Sequence, residues 1–253
     1  MPPPPAAARP IVTSVTAFFP CYNDAPTIAG MVEDARTALR RSVEDFEIIV
    51  VDDGSQDGSA TVLADLADRI PELRVVTHEC NRGYGAALIS GFAAATREWI
   101  FYTDGDGQYD ASHLEDLIHA VRDDTDVVQG WKNGRGDAWY RRLIGRAYHH
   151  TVRLLFDLRV RDTDCDYRLF RRELVVDPPL VSTSGVICVE MMRRFRSARL
   201  HIVEVRVSHS YRPAGRSQFF RLPAITRHQS PSSCRADRAM AGSRKNCERP
   251  AGR

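Results

Sequence analysis

The chain has 253 residues, 43% of them hydrophobic and 27% charged, which suffices to bury the core of one large domain or two small ones and is not the composition of a disordered or fibrous chain. Its formal net charge of +2 is not the basic excess of a nucleic-acid-binding protein, so no nucleic-acid partner is expected. No apolar run approaches the roughly 20 residues of a membrane span, and the Pro/Ala-rich start lacks the apolar core of a signal peptide; together these predict a disordered leader over 1–13 and a cytoplasmic protein.

The first predicted strand runs from Val15 to Pro20, and the Cys-Tyr-Asn-Asp after it favours a turn or helix cap. Ile28, Met31, Val32, Ala35 and Leu39 recur at helical spacing and predict a helix over Thr27–Arg41. The unit then repeats. Phe46–Val51 is a continuous apolar strand, Asp52-Asp53-Gly54-Ser55 a turn, and Val62, Leu63, Leu66, Ala67 and Ile70 share one face of a helix over Gly58–Ile70. A third strand, Leu73–Thr77, leads through Asn81-Arg82-Gly83-Tyr84-Gly85 into a small-residue helix over Ala86–Thr96. A fourth, at Ile100–Tyr102, ends in Asp104-Gly105-Asp106-Gly107-Gln108, followed by a helix over Ser112–Val121 with Ser112 as its cap and by a fifth strand at Asp126–Gln129.

Beyond Gly130 the pattern changes. Trp131 to Asp137 reads as a mobile loop, and Ala138–Leu158 as a long helix carrying Arg141, Arg142, Arg146 and Arg153 among apolar residues. Such a helix suits an anionic membrane surface, although a solvated basic face over a core-facing stripe is the commoner arrangement. Asp162, Asp164 and Asp166 precede an alternating strand that reaches Phe170, and a helix around Val189–Arg196 with Glu190 and a strand at Ile202–Val207 follow. The last stretch, 228–253, has no branched aliphatic or aromatic residue and is expected to be disordered. The six cysteines have no zinc-type spacing and are expected to be reduced.

Strands alternating with helices, the strands apolar throughout, predict a parallel sheet covered on both faces. Ligands bind beyond the carboxyl ends of such strands. Asp24, Asp52, Asp53, Asp104 and Asp106 all fall there. Asp104 and Asp106 share one side of an extended backbone, so they suit one hard divalent cation, Mg2+ or Mn2+, with Gln108 as a further oxygen. Read alone, the same residues also fit an Asp/Gly turn; acids at three strand ends favour the site. A dinucleotide site is excluded because the glycines follow the third strand and Leu88 replaces the third glycine, and no P-loop sequence occurs.

Six ordered blocks, Pro20-Cys-Tyr22-Asn23-Asp24, Val50-Val51-Asp52-Asp53-Gly54-Ser55, Asn81-Arg82-Gly83, Asp104-x-Asp106-x-Gln108, Asp166-Tyr167-Arg168-Leu169-Phe170 and Arg212-x-x-Gly215-x-Ser217, resemble family 2 glycosyltransferases. The branch most similar is that of dolichyl-phosphate mannose synthases and their bacterial polyprenyl-phosphate relatives. The resemblance covers Val15 to about Thr226 and sets the expected domain at 14–227. It implies an α/β GT-A fold, a GDP- or UDP-sugar donor, a divalent metal and inversion at the anomeric carbon. By the same resemblance Pro20, Tyr22 and Asp24 match nucleotide contacts, and Val51 and Asp53 match base and ribose contacts. Asp104, Gly105 and Asp106 match the metal and diphosphate motif, Gln108 a further ligand and Arg212 a donor-phosphate contact, while Lys132 falls where the family often has Arg after a glycine. Two positions depart from the pattern: Asp24 stands for the usual Glu, and Gln218 for a Lys. For a polyprenyl-phosphate acceptor, Arg141 and Arg142 are expected to position the phosphate at a membrane surface; for a hydroxyl acceptor, Asp164, Asp166 or Glu190 would be the base. A non-catalytic nucleotide-sugar-binding protein is the remaining reading.

Overall fold

A computed structural model describes residues 11–110, 113–132, 161–162 and 165–210, all within one compact unit. The elements, in order, are β1 (Ser14–Cys21), α1 (Ile28–Ser42), β2 (Asp45–Asp52), α2 (Ser59–Arg69), β3 (Leu73–Thr77), α3 (Tyr84–Ala94), β4 (Trp99–Tyr102), α4 (His113–Ala120), β5 (Val127–Lys132), β6 (Arg168–Arg171), α5 (Glu173–Val176), α6 (Ile187–Ser197) and β7 (Ile202–Val207). Among the described residues the strands form one sheet in the order β3-β2-β1-β4-β6-β5-β7. β1 runs parallel to β2 and β4, β2 to β3, and β5 to β7; β6 is antiparallel to both its neighbours. The expected mostly parallel α/β sheet is therefore present, with one reversed strand inserted between β4 and β5.

The continuous apolar runs are explained by burial on both faces. Successive residues of one strand divide between two cores: Val15, Ala17, Phe19, Ile48, Val50, Trp99 and Phe101 pack with α1, α2 and α4, while Phe18, Ile49, Val51, Ile100 and Tyr102 pack with α3, α5 and α6. Each fully buried side chain of this size contributes about 1.5–3 kcal/mol. Helix α1 follows from its pattern: Ile28, Met31, Val32, Ala35, Ala38 and Leu39 are buried, and Arg40 and Arg41 lie in its last turn, where they complement the helix dipole.

Two expectations need correction. Trp131 and Lys132 are not loop: they pair with Arg206 and Val207 as the end of β5, since a tryptophan beside a neighbouring strand is better placed in the ladder than in a turn. The expected disorder does not reach residue 13: Val12 is buried and the Thr13 carbonyl accepts the N–H groups of Glu44 and Asp45, while residues 1–10 lie outside the described residues. Cys21, Cys165 and Cys188 are free thiols as expected, and Cys234 and Cys247 lie outside the described residues. The basic helix expected at 138–158 and the tail at 228–253 lie outside the described residues.

Candidate active site

The parallel register brings the polar ends of β1, β2 and β4 to one edge. Cys21 is paired with Asp52, and Phe18 with Tyr102, so the turns carrying Asp24, Asp53 and Asp104 open on the same side of the sheet. The first two turns are laced together. Asn23 N–H donates to Ser55 Oγ at 3.0 Å, Asp24 N–H to Ser59 Oγ at 3.2 Å, Ala25 N–H to Asp57 Oδ2 at 3.0 Å and Gln56 N–H to Asn23 Oδ1 at 2.8 Å. Asp24 also accepts Tyr22 N–H at 3.2 Å, and its carbonyl accepts the first N–H groups of α1. Tyr22 and Asp24 are thus held in one ordered turn that follows Pro20 at the end of β1, beside the Asp104 segment.

Gly105 is wedged there. A Cβ at this position would lie 2.8 Å from the Pro20 carbonyl and 3.8 Å from Asp24 Oδ2, and the Gly105 carbonyl accepts Thr27 Oγ–H at 2.8 Å. Only a glycine lets the backbone come this close. The carboxylates on either side take their positions from β1 and α1. Asp106 is buried and its Oδ1 accepts Gln108 N–H at 3.0 Å. Asp104 is half-buried and accepts Tyr84 Oη–H at 2.9 Å. Burial, then the charges of Asp166 and Asp106, push the Asp104 carboxyl well above the ordinary carboxylate range, against the Tyr84 hydrogen bond and the Lys132 charge. Such a concentration of negative charge is what a hard divalent cation relieves. Among the described residues no group of three or more His, Cys, Asp or Glu is arranged to hold a metal. The donor set therefore fits a cation held by the Asp104 and Asp106 carboxylates with its shell completed by ligand phosphate, as is usual for Mg2+.

The other expected residues are placed as follows. Gln108 spends its side-chain N–H on the Ser210 carbonyl at 3.3 Å and accepts Ser210 N–H through its own carbonyl at 2.8 Å, tying down residues near β7. Val51 is fully buried under α3, so its side chain is core and not a base contact; a strand buried on both faces leaves no room for a ligand there. Asp53 is almost fully buried, with Oδ1 accepting from His78 Nδ1 at 2.6 Å and Arg82 N–H at 2.8 Å and Oδ2 accepting Gly83 N–H at 2.9 Å. Lys132 places its Nζ 5.8 Å from the centroid of the Tyr109 ring, and its charge reaches Asp104. Arg141, Arg142, Asp164 and Arg212 lie outside the described residues.

Asp166 is brought to Asp104 by a network that the sequence does not advertise. Its Oδ1 accepts Tyr102 Oη–H at 2.8 Å, Arg168 Nη1 at 2.9 Å and Cys188 Sγ–H at 3.5 Å. Arg168 is fully buried; its Nε donates to Gln129 Oε1 at 2.6 Å, and its Nη1 also donates to the Tyr102 hydroxyl. A buried guanidinium needs this many partners to offset its lost hydration. The sequence signal was the block Asp166-Tyr167-Arg168-Leu169-Phe170, which sets an acid and a cation at the start of a strand. Glu190, by contrast, is committed to structure, its two oxygens accepting Val181 N–H at 3.0 Å and Ser182 N–H at 2.9 Å.

A mostly parallel sheet with its acids beyond β1, β2 and β4 is the GT-A arrangement. Solved structures similar to this chain share it. A mannosyltransferase from Pyrobaculum calidifontis, in complex with GDP-Man and Mn2+, is 19% identical with a TM-score of 0.59, covering 79% of this chain and 58% of its own. Glucosyl-3-phosphoglycerate synthase from Mycobacterium tuberculosis, in complex with Mn2+, uridine diphosphate and glucosyl-3-phosphoglycerate, is 20% identical with a TM-score of 0.59, covering 79% and 73%. At these identities the likeness concerns the fold. The family is given by the sequence: residues 16–177 match the model of glycosyl transferase family 2, and the chain belongs to that family. Among curated proteins it is similar to the undecaprenyl-phosphate 4-deoxy-4-formamido-L-arabinose transferases of Aeromonas hydrophila, 25% identical over 212 residues and 81% of this chain, and of an Enterobacter species, 26% identical over 210 residues and 82% of this chain. The chain spans 62% and 63% of the length of these relatives.

Proposed function

We propose that the chain forms the donor-binding and catalytic domain, over 14–227, of a glycosyltransferase that moves a sugar from a GDP- or UDP-sugar to a polyprenyl phosphate with inversion, using Mg2+ or Mn2+. The observation that carries this reading is the pair of carboxylates, Asp104 and Asp106, fixed beyond β4 by the wedged Gly105 with Asp166 and Lys132 in electrostatic reach. The curated relatives' names supply the acceptor class.

When bound, the divalent ion neutralises charge that builds on the departing nucleoside diphosphate. Asp104 and Asp106 would hold that ion, and Lys132 would add positive charge on the leaving side. Pro20, Tyr22 and Asp24 would line the donor, and Asp53 would offer a nucleoside contact. A polyprenyl phosphate is largely ionised near neutral pH, since the second pKa of a phosphate monoester is about 6, so this acceptor requires no protein base. Arg141, Arg142 and Arg212 are proposed as phosphate contacts through charge-assisted hydrogen bonds. Among the described residues no helix is long and apolar enough to cross a membrane; the lipid acceptor would be met by peripheral association with the cytoplasmic membrane face.

A second reading keeps the donor and transfers to a sugar or protein hydroxyl. It rests on Asp166, whose charge is felt at Asp104 and which would serve as the base that a hydroxyl acceptor needs. Titration of UDP and GDP by calorimetry with and without Mn2+ tests the donor site: we expect Mn2+-dependent binding of one of them, weakened at least tenfold in Asp106→Ala, and binding indifferent to chelator would overturn the metal-assisted reading. Assays with undecaprenyl phosphate against soluble sugar acceptors separate the two acceptors.

A further inference from the structure

Asp53, beyond β2, is held by a relay that no part of the proposed reaction requires. His78 Nδ1 lies 2.6 Å from Asp53 Oδ1, and His78 Nε2 lies 2.9 Å from Ser90 Oγ on α3. His78 itself is 7% exposed. The order Asp-His-Ser is that of a nucleophilic triad, but Ser90 sits inside α3, where the neighbouring backbone N–H groups are spent in helix hydrogen bonds and leave no oxyanion hole. The relay has a different product. An ionised carboxylate offers about four lone-pair directions, and three are filled, by His78, Arg82 N–H and Gly83 N–H. One direction is left on Oδ2.

We propose that His78, oriented by Ser90, is a positioning residue that aims the remaining lone pair of Asp53 at a single hydrogen-bond donor of the nucleoside, either a ring N–H of the base or a ribose hydroxyl. With the carboxylate accepting from Nδ1, the Ser90 hydroxyl meets Nε2 either as donor or as acceptor, and in both cases the two contacts fix the orientation of the ring. The same carboxylate anchors Arg82 and Gly83, so the turn leading into α3 and the nucleoside contact are set together. The inference rests on the proposed nucleotide-sugar donor and deepens it.

The test compares ligands that differ by one donor. UDP has a ring N–H where CDP has an acceptor, GDP differs from ADP in the same way, and 2′-deoxy analogues lack one hydroxyl. Wild-type protein is expected to prefer the donor-bearing member of one of these pairs by about tenfold, the worth of one hydrogen bond to a charged acceptor. His78→Leu should reduce that preference to less than about threefold, while His78→Asn, which keeps an N–H at the Nδ1 position, should retain it. Ser90→Ala, which leaves the buried ring in place, should reduce it in the same direction by less and serves if His78→Leu does not fold. A merely structural role for His78 would lower the melting temperature and weaken all ligands alike with the preference intact, and that result overturns the inference. So does a wild-type protein that binds nucleoside diphosphates without preference. If it binds none of them, the donor reading itself falls, and the inference with it.

Discussion

In the half of the sheet built by β1 to β4, acidic side chains stand beyond strand ends and are held largely by backbone N–H groups: Asp52 by Ser55, Asp53 by Arg82 and Gly83, Asp106 by Gln108. The half around β6 instead takes a charged side chain, Arg168, into the interior and satisfies it with Gln129, Tyr102 and Asp166 from other segments. Backbone donors come with the turn and are present whatever the neighbouring side chains are. A side-chain network holds only if every member is in place. The first half should therefore tolerate single changes near its site better than the second.

The strongest challenge to this contrast is Arg168→Met. It leaves Asp166, half-buried beside Asp104, without its guanidinium, and urea denaturation should show a loss of about 3 kcal/mol. Adding Asp166→Asn should recover much of it, because the orphaned charge is gone; no recovery would mean that packing and not pairing is the larger effect. Next comes Gly85→Ala at the start of α3, whose Cβ would fall 2.3 Å from the Ser182 carbonyl. Overpacking against backbone should cost about 1–3 kcal/mol in the same measurement.

The smallest effect sharpens the comparison, because Glu190 belongs to the second half yet is held by backbone. Burial alone would raise its carboxyl, but hydrogen bonds from Ser182 and Val181, with the Arg194 charge, outweigh burial and hold it below the ordinary carboxylate range. Its folded value is depressed, so its stabilisation is present above the unfolded value of about 4.3 and is lost as the pH falls through the folded value. Glu190→Gln should cost about 1 kcal/mol near neutral pH. Wild type and variant should converge in acid. Denaturation midpoints at pH 7 and pH 3 provide the check.

The same contrast explains what was legible in the sequence. The edge strands β3 and β7, only partly buried, were read to the residue as short runs rich in β-branched residues; β1, β2 and β4 were read to within one or two residues, because strands buried on both faces are continuous apolar runs ended by polar turns. The acids of the site were visible for the same reason: each marks the end of such a run. What escaped were partnerships across the chain. His78 and Asp53 are 25 residues apart, and Tyr102 and Arg168 are 66 apart, so no local period links them. One clue was available at His78, which directly follows β3 on the edge already marked by acids. Lys132 was identified as a charge near the donor, but its strand was missed because Trp131-Lys132 precedes the turn-like Asn133-Gly134, and the partner that makes it a strand, β7, lies more than seventy positions on.

The wedge at Gly105 bears on how such a site drifts under mutation. In a library randomised at residues 104–106, variants at 105 would be lost because the chain cannot close against Pro20 and Ile28, while variants at 104 and 106 would be lost only if ligand binding is selected. The glycine between the two carboxylates would then persist in descendants that had abandoned transfer altogether. On the function proposed above, the acids of such a lineage would carry the record of activity and the glycine the record of folding.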